Sequence, residues 1–140
     1  MIDSNLTTKI QNAVDAQFDE QIAFTSELVK FPSVRGAEQT AQDFVAKSLR
    51  ERGYAVDMWA MHVDELNHLP GFSPVTVSYD NALNVVGSHR PNKKQGHSLI
   101  LNGHIDVVSA SESMWRTAPF TAVRDGDWVY GRGGGDMKGG

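Results

Sequence analysis

The sequence predicts an α/β fold, with two helices packed on a mixed sheet plus a β-hairpin. Three observations carry this. Apolar residues recur at helical spacing through the first fifty or so positions, and short runs rich in branched and aromatic residues follow. Near the end, an Asp-Gly pair separates two alternating runs.

The elements can be justified in order. Leu6, Ile10, Val14, Phe18 and Ile22 recur every four positions, followed by Phe24 and Leu28. Pro32 ends this stripe because proline has no N–H to continue the helical ladder. The run amounts to about seven turns at ~3.6 residues each, which leaves room for a break between Asp15 and Glu20. A second helix places Ala41, Phe44, Val45, Ser48 and Leu49 on one face, and Gly53 sits where a C-terminal cap belongs. Tyr54 to Ala60 (YAVDMWA) then reads as a strand. Residues 61–81 form an irregular excursion. Ala82 to His89 and Ser98 to His104 read as two further strands, the second so continuously apolar that it should be central and buried on both faces. Thr121 to Tyr130 predicts a hairpin turning at Asp125-Gly126. The sequence shows no internal repeat and no low-complexity segment.

At 140 residues the chain suffices for one domain with its own core. A formal charge of −4 argues against nucleic acid or an anionic membrane as the main partner. The one basic cluster, Arg90 with Lys93 and Lys94, reads as a solvated turn. The absence of cysteine excludes disulfides, thiol nucleophiles and Cys-ligated zinc, so any metal must rest on His, Asp and Glu. The opening MIDSNLTTKI is not a signal peptide. No apolar run approaches the ~18 residues a membrane span needs. A cytoplasmic protein is expected.

The stretch NGHIDVV (Asn102 to Val108) sets His104 and Asp106 two residues apart. In extended backbone such residues project to one side, and the carboxyl end of a strand is where α/β folds gather ligands. An imidazole nitrogen is a common metal ligand, and its other N–H is usually given to a carboxylate or carbonyl. Taken alone, the pair reads more readily as polar residues satisfying a loop than as a metal site. The terminal GRGGGDMKGG (Gly131 to Gly140) is no dinucleotide fingerprint, because Asp136 takes the place of a glycine and the segment follows a hairpin strand. Nor is it a phosphate loop, since Met137 precedes Lys138 and no Ser or Thr follows. An acidic side chain presented among glycines suits a cation.

Together, NGHIDVV, W-x3-PF (Trp115 to Phe120) and DG-x3-YGRG-x2-DMKGG (Asp125 to Gly140) resemble the aminoacylase/carboxypeptidase G family of zinc hydrolases. That family includes acetylornithine deacetylase and succinyl-diaminopimelate desuccinylase. The resemblance implies that residues 1–140 are the N-terminal portion of a zinc-peptidase-like catalytic domain, with the dimerisation domain and C-terminal catalytic half absent. It implies that His104 binds one of two zinc ions, that Asp136 bridges both, and that Asp106 steadies the imidazole. Cobalt is an alternative metal. It also implies a cis peptide at Asp136–Met137. In the family, a Glu-Glu pair supplies the general base and a further ligand, and a later carboxylate and a histidine complete the site. None of these has a position in this sequence, so the chain alone is expected to bind zinc weakly and to hydrolyse nothing.

The implied activity is removal of an acyl group from an N-acylated amino acid or related small amine, by a protein that is a homodimer at full length. The regions His68 to Val75 and Asn81 to Pro91 look most like the acetylornithine deacetylase branch. Formylaminopyrimidine deformylase is the runner-up, and dipeptidase or carboxypeptidase comes third. The reading from another class is a non-catalytic binding or assembly module. Missing strands would also leave sheet edges open to pairing. One departure stands out: Gly134 and Gly135 occupy positions where relatives carry a small and a polar residue. Outside the motifs, His62, His68, His89 and His97 read as surface or turn residues. Trp115 and Phe120 read as packing rather than substrate contacts. Lys138 is open between neutralising nearby carboxylates and a solvated or backbone-bonding role.

Overall fold

In the computed structural model, which describes residues 3–93 and 95–140, Asp3 caps the first helix by accepting the Asn5 N–H at 2.9 Å. The helices α1 (Ser4–Ala16) and α2 (Phe18–Val29) part at Gln17, whose N–H turns to the Val14 carbonyl at 3.2 Å. The long apolar run thus breaks inside the expected window. Its N-terminal half faces outward: Leu6, Ile10, Val14 and Phe18 are each about half exposed, and α1 buries no residue.

The core begins at the end of α2. Leu28 and Val29 are buried, as are Ala41 and Ala46 of α3 (Gln39–Glu51) and Val107. Burying one such branched side chain stabilises by about 1.5–3 kcal/mol. Phe44 stacks on Phe24 and Phe31 with ring centroids 5.3 and 5.1 Å away. The end of α3 follows the sequence expectation. Gly53 takes φ 81°, its N–H reaches the Arg50 carbonyl, and the Tyr54 N–H reaches Leu49. That pair of bonds is a Schellman motif, which needs a left-handed residue where Gly53 stands.

Strand β1 (Ala55–Ala60) pairs antiparallel with β2 (Leu83–Ser88), from Ala55 opposite Ser88 to Ala60 opposite Leu83. α3 lies on β2 so closely that a Cβ at Gly87 would stand 3.0 Å from the Leu49 side chain. Between the strands, one helical turn, α4 (Val63–Leu66), interrupts the otherwise irregular excursion. Arg90 and Lys93 are exposed, as a solvated turn requires, and Lys94 lies outside the described residues.

The third strand is a correction. Ser98 to His104 forms no ladder, and Leu99, Ile100 and Leu101 are 80–88% exposed. A strand buried on both faces needs neighbours for its N–H and C=O groups. Among the described residues only a parallel bridge between Val34 and Val107 forms beside this segment. The hairpin is present as β3 (Val123–Asp125) and β4 (Trp128–Tyr130). Its two linking residues are Gly126 and Asp127, one position later than expected. Gly126 takes φ 58° at the first, where a type II′ turn puts its glycine. The α/β fold class stands, with two small antiparallel sheets and one parallel bridge. No helix among the described residues is long and apolar enough to cross a membrane.

Candidate metal centre

The segment after β4 is built on close approaches. A Cβ at Gly131 would lie 2.3 Å from Val29 Cγ1, and one at Gly133 would lie 2.6 Å from Val107 Cγ1. Gly133 also takes φ 85°, which an L side chain resists. The loop then closes with Lys138 N–H on the Gly133 carbonyl at 2.8 Å, and within it the Asp136–Met137 peptide is cis, as the family resemblance implied. Gly134 and Gly135 have no close neighbour that a Cβ would strike.

This loop brings Asp136 to the end of NGHIDVV. His104 Nε2 lies 3.0 Å from Asp136 Oδ1, although the two residues are 32 apart in sequence. The other ring nitrogen, Nδ1, lies 3.1 Å from the Asp106 carboxylate and 3.2 Å from its backbone carbonyl. The three residues named by sequence therefore converge. His104 and Asp106 are partly covered, whereas the Asp136 side chain is 89% exposed.

The electrostatics of this arrangement are specific. Desolvation pulls the His104 pKa down, but hydrogen bonds to Asp136 and the Asp106 backbone, with the charge of both carboxylates, outweigh it. The net result is a pKa above the ordinary 6.5. Both ring nitrogens face acceptors, whereas a neutral imidazole carries one N–H. The geometry is satisfied by an imidazolium, and a cation bound to Nε2 in place of its proton would equally suit the two acceptors. An imidazole nitrogen and a carboxylate oxygen are donors that suit zinc. They supply two positions of a shell that needs about four. Among the described residues, no three His, Cys, Asp or Glu groups gather to hold an ion.

Lys138 resolves toward backbone bonding. It is 5% exposed, donates to the Phe31 carbonyl at 2.6 Å, and burial lowers its pKa to about 8. A cavity of about 790 Å³ opens beside His104, walled by Leu49, Trp59, Val85, Leu101 and Met137. Trp115 and Phe120 do not line it, and Trp115 instead lies under the Arg132 guanidinium at 5.1 Å. His62, His68, His89 and His97 are all exposed and away from the site, and His89 sits edge-on to Tyr54. Sequence reasoning missed Ser33. It is fully buried, and its hydroxyl donates to the Ile105 carbonyl at 2.7 Å, between the two site residues. The sequence offers only a weak sign of it, a small polar residue lodged between Pro32 and Val34 after a helix end.

The fold is α/β, and the polar groups His104, Asp106 and Asp136 gather where two loops meet. Residues 100–140 match peptidase family M20/M25/M40. It is 35% identical over 123 residues to succinyl-diaminopimelate desuccinylase of Methylobacterium radiotolerans, covering 87% of this chain and 27% of that protein. It is 33% identical over 132 residues to N-formyl-4-amino-5-aminomethyl-2-methylpyrimidine deformylase of Halalkalibacterium halodurans, covering 91% of this chain and 27% of that protein. The deformylase of Bacillus subtilis is 29% identical over 137 residues, covering 94% of this chain and 28% of that protein. The chain thus spans about a quarter of the length of the curated relatives it matches.

Proposed function

We propose that the protein is a metal-dependent amidohydrolase that releases an acyl group from an acylated amino acid or related small amine. The observation that carries this is the line of groups Asp106, His104 and Asp136, with contacts of 3.1 and 3.0 Å. In this reading Asp106 holds the Nδ1 proton, which fixes the ring and aims the Nε2 lone pair at the metal. Asp136, exposed and flanked by glycines, would hold the metal together with His104, in the bridging role that the family resemblance implies. Bound zinc supplies Lewis acidity to the acyl carbonyl and acidifies a water molecule. The cavity beside His104 receives the amine portion against Trp59 and Met137.

Residues 1–140 are read as the N-terminal portion of the catalytic domain, in a cytoplasmic homodimer whose general base comes from elsewhere in the protein. The resemblance of residues 68–75 and 81–91 favours an acetyl group. Succinyl and formyl groups are the alternatives, because the names of the relatives point to them. The test is to incubate the intact protein with N-acetyl, N-formyl and N-succinyl amines, with and without chelator. Amine release that is lost on chelation and restored by zinc is expected. Release unaffected by chelator contradicts the reading.

A further inference from the structure

Residues 103–107 carry two of the three site groups, yet the apolar run before them is bare and pairs with nothing among the described residues. What holds them is the turn that follows α2. Ser33 Oγ donates to the Ile105 carbonyl at 2.7 Å, and the Val107 N–H donates to the Ser33 carbonyl at 2.9 Å. These two bonds bracket Asp106 and leave His104 one residue from an anchored carbonyl. Val34 adds the parallel bridge to Val107, whose side chain is buried. The same turn holds the other loop, because Lys138 Nζ donates to the Phe31 carbonyl at 2.6 Å, two residues beyond Asp136. Both halves of the site therefore hang from four consecutive residues.

We propose that Phe31–Val34 is the positioning element of the metal centre, with Ser33 as its positioning residue. Ser33 touches neither ion nor substrate. Its buried hydroxyl sets the height of the Ile105 peptide and hence the separation of His104 from Asp136. A buried serine with its side chain and carbonyl both committed to one segment has no slack to exchange one partner for water. This inference rests on the metal-binding reading above. It deepens that reading by naming what fixes the distance between its two ligands.

The test uses the intact protein with Ser33→Ala, Ser33→Thr, His104→Ala and Lys138→Met. Zinc affinity is read by competition with a chromophoric chelator. In the metal-free protein, proton cross-relaxation between the His104 ring and the Asp136 β-protons is also read. Ser33→Ala is expected to weaken zinc by about 10–100-fold, as loss of an outer support typically does. It should also remove the His104–Asp136 cross-peak while unfolding remains cooperative, and Ser33→Thr should recover most of both. Wild-type affinity with the cross-peak intact in Ser33→Ala overturns the proposal. If Ser33→Ala does not fold, Lys138→Met decides by the same two readouts: weakened zinc and a lost cross-peak support the proposal, and unchanged values overturn it. If wild type and His104→Ala bind zinc equally, the metal reading falls. The cross-peak then decides the positioning claim alone, with its loss in Ser33→Ala supporting the claim and its persistence overturning it.

Discussion

Residues 98–102 and 103–107 are neighbours in sequence with opposite fates. SLILN contains an uninterrupted run of three large aliphatic residues, yet Leu99 to Leu101 lie on the surface. GHIDV is more polar, yet its last residue is 5% exposed and its backbone is tied to Ser33. Hydrophobicity gives a segment a reason to be buried but does not supply the surface that buries it. Two hydrogen bonds and one valine in a ready slot decided which half is ordered against the fold.

Substitutions at the anchored half should break that contrast. The largest effect is expected from Gly133→Ala. A Cβ there meets Val107 at 2.6 Å in a backbone with φ 85°, so overpacking and left-handed strain add. A loss of roughly 3 kcal/mol in urea unfolding is expected. Val29→Ala comes next, since this fully buried side chain also lies against Gly131. A loss of about 2 kcal/mol, seen as a lower midpoint with an unchanged slope, is expected. Gly135→Ala tests the other side of the contrast within the loop. Nothing stands within 4 Å of its Cβ and its φ is not positive, so a gain of about 0.5 kcal/mol is expected from the stiffer unfolded chain. The smallest effect is expected from Ile100→Lys at an 88% exposed position, a change within about 0.5 kcal/mol. A loss above 2 kcal/mol there would show that the apolar run is covered in solution.

The same contrast explains how much was legible in the sequence. Local signals survived intact. Gly53 marked the end of α3, the Asp-Gly pair marked the hairpin to within one residue, and proline marked the limit of α2. These depend on the backbone preferences of one or two residues. The strand expected at Ser98 to His104 failed because a strand is a property of a pair, and no periodicity reveals whether the partner is present. The site followed the same rule. His104, Asp106 and Asp136 were found through linked motifs, and the structure brings them together. Ser33 was not found, because its role is a contact across 72 positions of sequence. The outward face of α1 likewise has no signature, since Leu6 and Ile10 have helical spacing whether or not something covers them.

The central claim is that His104 and Asp136 hold a cation between them, with Asp106 retaining the proton on the far side of the ring. Long-range proton–nitrogen NMR of the five histidines during a zinc titration tests this most directly. The account predicts that His104 alone responds, with Nε2 moving to the shift of a metal-bound nitrogen while Nδ1 stays protonated. It also predicts that Asp136→Asn weakens this response. A His104 ring that is unmoved by zinc, or that binds through Nδ1, would contradict it.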